Sequence, residues 1–113
     1  MIYYSYLRNL VYLLNKVKIN LNELNNSIKD DKNKILIHKC NNIFINLYKR
    51  INKMIEQDNY SYLVLFEINK ELFSLRSYLI EIYNQNINLN INKVIRMSLI
   101  DIDLSVSLIE KLQ

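Results

Sequence analysis

The side chains that could do chemistry in this 113-residue sequence are few, and their spacing does not build an active site. His38 is the only histidine and Cys40 the only cysteine, so a nucleophile would have a single possible base. Two residues apart on a helix, the two side chains diverge by about 200° and cannot share a metal ion. We therefore expect His38 on the surface, Cys40 in the core, and a protein without catalytic residues, metal or cofactor.

Acidic residues give no better case for catalysis. Glu67 and Glu71 share one face of a predicted helix, but a di-metal site in a helical bundle needs Glu-x-x-His on each of two helices. We expect both to flank Lys70 on a solvated face. A further carboxylate, Asp103, lies next to a core position and would need a basic partner if shielded. Two arginines are available for it, Arg76 and Arg96.

Basic residues carry a clearer signal. Residues 1–57 hold ten Lys and Arg against four Asp and Glu, a balance of +6, whereas residues 58–113 hold five against seven, a balance of −2. Clustered Lys and Arg are typical of binding to a phosphate backbone without sequence preference. The candidate nucleic-acid-binding residues come from the basic half: Lys16, Lys18, Lys34, Lys39, Lys49, Arg50 and Lys53. Tyr48 lies among them and could stack on an unpaired base. A solvated helix with lysines for solubility is the alternative interpretation.

The elements that must position these residues are amphipathic helices. Apolar residues recur at alternating steps of 3 and 4, which is the spacing of a packed helix face. Glycine and proline are absent, so nothing interrupts the helices, and glycine-based phosphate loops are excluded. The predicted core consists of Tyr3, Leu7, Leu10, Leu14, Val17, Leu21, Leu24 and Ile28; Leu36, Cys40, Phe44, Leu47, Ile51 and Met54; Leu65, Ile68, Leu72, Leu75, Leu79 and Ile82; and Ile95, Leu99, Ile102, Val106 and Ile109.

Four helices of similar length with short connections predict an all-α, antiparallel up-down-up-down four-helix bundle. The helices are expected at about residues 2–28, 33–56, 60–84 and 91–112, in one domain covering residues 1–113. Candidate N-caps are polar residues in the breaks: Asp30, Asp31 or Asn33, then Asp58 or Asn59, then Asn90 or Asn92.

Apolar residues outside these seams predict an oligomer or partner interface, although single ones also occur on ordinary surfaces. The candidates are Tyr6, Val11, Val64, Phe66, Phe73 and Tyr78. The lone cysteine, the absence of a signal-peptide pattern and the absence of an apolar run near the roughly 20 residues that span a bilayer favour a soluble cytoplasmic protein.

The predicted third and fourth helices resemble a known family in the order of their residues. The resemblance covers about residues 34–110. It is carried by Glu67-Ile68, Glu71-Leu72, Leu75-Arg76 and Leu79, and then by Ile100-Asp101-Ile102-Asp103, Val106 and Ile109. This pattern is similar to the accessory variability determinants of diversity-generating retroelements and to the small bundles encoded in ribosomal intervening sequences. The chain departs from the family on the predicted fourth helix. Where the family has glycines this chain has Asp103 and Ser107, and where the family has a tryptophan it has Ile109.

The resemblance implies a basic homopentamer that binds a reverse transcriptase and its template RNA and supports mutagenic cDNA synthesis without doing chemistry. In that setting the residues implied for RNA or cDNA phosphates are Lys39, Lys49, Arg50 and Lys53. Two other functions fit the same chain. A protein-binding chaperone or scaffold would use the extra apolar surface and no nucleic acid, and an RNA-binding subunit of a defence complex would share only the basic residues.

Overall fold

The computed structural model describes the backbone of residues 2–85 and 88–112, and the side chains of residues 5–85 and 88–112. Four helices follow one another: α1 (Ile2–Ser27), α2 (Asp31–Glu56), α3 (Tyr62–Gln85) and α4 (Leu89–Leu112). Each helix packs against two neighbours, since α1 and α3 both contact α2 and α4. Within the described helices, α1 does not contact α3 and α2 does not contact α4. The molecule measures 44 × 20 × 19 Å, close to the length of one of its longer helices at 1.5 Å per residue. The predicted all-α, antiparallel four-helix bundle is therefore confirmed.

Among the described side chains, the predicted seams form the core at every position but one. The predicted core residue Tyr3 lies outside the described side chains. All predicted core positions of α1 (from Leu7 on), α2 and α3 are buried. On α4 the prediction was wrong at Leu99, which is only half-buried. Its place in the core is taken by polar residues that were not predicted there: Ser98, Asp101 and Ser105.

The two buried serines of α4 are accommodated because their hydroxyls are satisfied within the helix. Ser98 Oγ donates to the Val94 carbonyl at 2.9 Å, and Ser105 Oγ donates to the Asp101 carbonyl at 2.7 Å. Such bonds to the preceding turn let serine lie inside a bundle without an unpaired hydroxyl. The serines are one turn on either side of Asp101, whose carboxylate pairs with Lys16 of α1 at 3.3 Å. All three polar side chains therefore lie on the buried side of α4.

The N-cap residues agree with the prediction at α2 and differ from it at α3 and α4. Asp30 caps α2 as one of the expected residues, its Oδ2 accepting from the Asn33 backbone N–H at 3.0 Å. Ser61 caps α3, because its Oγ accepts from the Val64 N–H at 3.4 Å, so Asp58 and Asn59 were the wrong candidates.

Asn88 caps α4, its Oδ1 accepting from the N–H groups of Asn90 and Ile91 at 2.9 and 3.2 Å. The predicted caps Asn90 and Asn92 lie inside the helix instead. A run of asparagines offers several equivalent caps, and composition alone does not distinguish them.

Asp58 lies in the C-terminal cap of α2 rather than at the start of α3. Its φ of 48° places it in the left-handed region, where this glycine-free chain has to use another residue. Its N–H bonds to the Ile55 carbonyl at 3.2 Å, and the Asn59 N–H bonds to the Met54 carbonyl at 3.1 Å. This is the hydrogen-bond pattern of a Schellman C-cap, which commits both residues to closing α2 rather than opening α3.

Candidate nucleic-acid interface

The basic residues of α1 and α2 lie along several grooves of the bundle rather than on one face. The groove between α1 and α2, called here the α1–α2 groove, has a volume of about 430 Å³. It is lined by Lys18, Leu21, Asn22, Asn41, Phe44, Ile45, Tyr48 and Lys49. These residues combine two cations with aromatic, aliphatic and amide surface, and they include no carboxylate.

Tyr48 is held in a defined orientation in this groove. Its ring stacks on that of Phe44, one turn earlier on α2, with the centroids 5.5 Å apart and the planes at 26°. Its hydroxyl donates to Asn15 Oδ1 of α1 at 2.7 Å. Lys18 Nζ lies 5.8 Å from the centroid of the same ring. Because Phe44 is buried, the groove has an aromatic floor that the rest of the bundle supports.

The cations of this groove are not paired with carboxylates in the described part of the chain. Within residues 5–85 and 88–112, Lys18 and Lys49 make no ion pair. Lys53 follows Lys49 by one turn on exposed α2 surface, and Lys34 precedes the groove residue Asn41 by two turns. Four of the seven predicted residues therefore lie on or near one side of the molecule.

Arg50 belongs to a different groove, although it follows Lys49 directly. Its Nη1 contacts Glu67 Oε2 at 3.0 Å, and its Nη2 pairs with Glu71. The two glutamates flank Lys70 in this groove, as predicted, but their pairing with Arg50 was not predicted. They hold an arginine between α2 and α3 and cancel its charge there.

Two further predicted cations lie outside the α1–α2 groove. Lys39 Nζ lies 5.6 Å from the centroid of the Tyr78 ring on α3. Lys16 pairs with Asp101, whose side chain is 7% exposed, beside a groove of about 300 Å³ between α1 and α4. Adjacent helix positions are rotated by about 100°, so a count of lysines on a helix does not group them by groove.

The predicted interface residues are mostly used within the chain. Tyr6, Val11, Val64 and Tyr78 are half-buried and pack against the core, whereas Phe66 and Phe73 remain 54% and 51% exposed. A second apolar surface was not predicted. It runs along the α1–α4 face and consists of five side chains that are 47–66% exposed: Tyr12, Ile19, Met97, Ile100 and Leu104. The signal was present in sequence as apolar residues one turn apart on α4.

Positions were also predicted for Cys40, His38 and Arg76. Cys40 is buried as predicted, and burial raises the pKa of its thiol from 9.0 to about 12, so it stays protonated at neutral pH. His38 is exposed, as predicted. Arg76 Nε contacts Asp103 Oδ1 at 2.9 Å, so of the two candidate arginines Arg76 pairs with that carboxylate, although the Asp103 side chain is 55% exposed rather than shielded.

The described residues bring together no three His, Cys, Asp or Glu side chains in a way that could hold a metal ion. None of the helices in the described ranges is both long and apolar enough to cross a bilayer. Comparison with protein-family models, with curated proteins and with solved structures finds no match to this chain.

Proposed function

We propose that this chain is a non-catalytic subunit that binds single-stranded RNA or cDNA along the α1–α2 groove. The observation that carries the proposal is the pair Lys18 and Lys49, which border the oriented ring of Tyr48 with no carboxylate among the groove residues. Lysines that track a backbone, combined with an aromatic ring on which a base can stack, are the two components of binding to unpaired strands. Two other grooves with basic residues in the described part of the chain contain carboxylates: Asp101 in one, Glu67 and Glu71 in the other.

Binding of this kind depends on salt in a predictable way. Each phosphate that a lysine neutralises on a single strand contributes about −0.7 to the slope of log affinity against log salt concentration. Contacts by Lys18, Lys49 and Lys53 together correspond to a slope of about −2. The proposed binding is therefore moderate in affinity and readily weakened by salt.

The protein partner in this proposal is a reverse transcriptase. The residue order of α3 and α4 supports a retroelement setting, in which the chain holds template RNA or cDNA while the polymerase does the chemistry. Assembly into a homo-oligomer, a pentamer in that setting, would use the exposed side chains of Phe66 and Phe73 on α3.

Charge reversal in the groove tests the proposal. Lys18→Glu/Lys49→Glu should lower the affinity for a labelled 20-nucleotide single-stranded RNA by about 20-fold or more near 0.1 M salt, because two phosphate contacts are lost. The measurement is fluorescence anisotropy. The matched control is Lys93→Glu/Lys111→Glu, which makes the same charge change at exposed positions of α4 and should alter affinity by about twofold. Equal losses in the two variants, or binding that ignores salt, would contradict the proposal.

A second candidate function is protein binding, and the α1–α4 face favours it. Three of its exposed apolar side chains, Ile19, Met97 and Ile100, line the groove that contains the Lys16–Asp101 ion pair. Contiguous apolar surface marks interaction sites more often than scattered side chains do. Under this function the chain is a scaffold or chaperone subunit without a nucleic-acid role. Its signature is a complex or oligomer that Ile100→Glu disrupts, seen by mass measurement in solution, together with no RNA affinity.

A further inference from the structure

We infer that the α1–α2 groove accepts one unpaired nucleobase and that it prefers adenine. This inference rests on the proposed function and adds base recognition to it. The volume of about 430 Å³ lies in the lower part of the range of about 300–1,000 Å³ that is usual for small-ligand sites. That size suits a single base with its sugar, whereas a duplex would meet only the rim of the groove.

Two amides supply the polar contacts that such a site needs. Asn22 of α1 and Asn41 of α2 both line the groove that contains Tyr48, and they come from opposite walls. Neither side-chain amide hydrogen-bonds to another group in the described part of the chain. Asn41 is half-buried, so its donors and acceptor are partly withdrawn from water. A ligand with a matching edge would satisfy groups that the protein leaves available.

The ring of Tyr48 is already oriented for stacking on a base. The Asn15 bond and the Phe44 ring hold Tyr48 in place before any ligand arrives, so little side-chain freedom is lost on binding. The ammonium of Lys18 lies over the ring and has to leave when a base stacks there. That exchange is favourable, because base stacking on an aromatic ring is stronger than an exposed cation–π contact. The released ammonium can then contact the phosphate of the same nucleotide.

The amides favour adenine over guanine. An asparagine side chain presents one donor group and one acceptor, which match the N7 acceptor and the N6 amino group of adenine in a bidentate pair. The Watson–Crick edge of an unpaired adenine, N1 and N6, offers the same match, so amides from the two walls can pair with both of its edges. Guanine matches an amide only at its Watson–Crick edge, because its N7 and O6 are both acceptors. The larger purine ring also covers more of Tyr48 than a pyrimidine does.

The test uses single-stranded RNA oligonucleotides of nine uridines in which only the central nucleotide changes. Central adenosine should bind about tenfold more tightly than central guanosine, uridine or an abasic nucleotide. All four strands carry the same phosphates, so the difference reports on the central base. Asn22→Ala/Asn41→Ala should remove this preference while the salt-dependent binding of the all-uridine strand remains. Asn42→Ala, an exposed neighbour outside the groove, is the control and should keep the preference.

The outcomes separate the inference from the function on which it rests. Equal affinity for adenosine, uridine and the abasic strand, with normal salt dependence, overturns the base site and leaves nucleic-acid binding in place. A preference for adenosine that survives the double asparagine variant also overturns it. Failure of every oligonucleotide to bind overturns both the inference and the proposed function.

Discussion

The groove between α1 and α2 and the groove between α2 and α3 receive neighbouring residues of the same helix, yet their chemistry differs. Lys49 enters the first groove, among aromatic and amide side chains and no carboxylate. Arg50 enters the second, where Glu67 and Glu71 on α3 hold its guanidinium. The cations of the first groove thus have no carboxylate partner among the described residues, whereas the arginine of the second groove is paired between two helices.

The same division occurs on α1. Lys16 pairs with the buried Asp101 of α4, whereas Lys18, two residues later, lies over the Tyr48 ring in the α1–α2 groove. On both helices, one cation is neutralised within the bundle and a close neighbour is available to an external anion. The net charge of a segment thus overstates the charge that it can offer to a partner, because internal pairs have to be subtracted first.

The largest difference between a paired and an unpaired lysine is expected in the free energy of unfolding, when Lys16 and Lys18 are compared. Lys16→Met leaves the carboxylate of Asp101, 7% exposed, without its partner. Loss of a partner by a buried polar group costs about 1–3 kcal/mol, so the free energy of unfolding should fall by about that amount. Lys18→Met should change it by less than about 0.5 kcal/mol, as is usual for surface substitutions. Urea unfolding at neutral pH measures both.

Asp101→Asn provides the control for this comparison. In that background the charge that Lys16 balances has gone, so Lys16→Met should cost less than it does in the wild-type chain. A double-mutant cycle isolates the difference. Equal destabilisation by Lys16→Met and Lys18→Met would show that the two lysines do not differ as the structure indicates.

A smaller effect on stability is expected at the second pair of neighbours. Arg50→Gln removes the contacts to Glu67 and Glu71, whose side chains are 49% and 29% exposed, so solvent screens much of the interaction. The loss should be about 1 kcal/mol, or a decrease of about 4 °C in Tm. Lys49→Gln should leave Tm nearly unchanged. Thermal unfolding followed by circular dichroism gives both values, and matching shifts would contradict the assignment of the two residues to different grooves.

A structural feature could be predicted from the sequence where a single helix determines it, and could not be where the packing of two helices determines it. The 3–4 spacing of Leu65 and Ile68, repeated along each helix, placed nearly all of the core, because burial of one face follows from a single helix. The division of Lys49 from Arg50 depends on which neighbour each side of α2 meets, and the spacing does not contain that information. Asp58 was misplaced because the αL residue of a C-cap is usually glycine, which this chain lacks.

The smallest effect, and the most direct one on function, is expected in the salt dependence of RNA binding. Lys49→Gln should make the slope of log affinity against log salt less steep by about 0.7, since one phosphate contact is lost. Arg50→Gln removes the same formal charge one position later but should leave the slope unchanged, because the guanidinium already has carboxylate partners. Titration of single-stranded RNA between about 50 and 200 mM salt measures the slopes. Parallel reductions in the two variants would mean that RNA responds to the overall charge of α2 rather than to the α1–α2 groove.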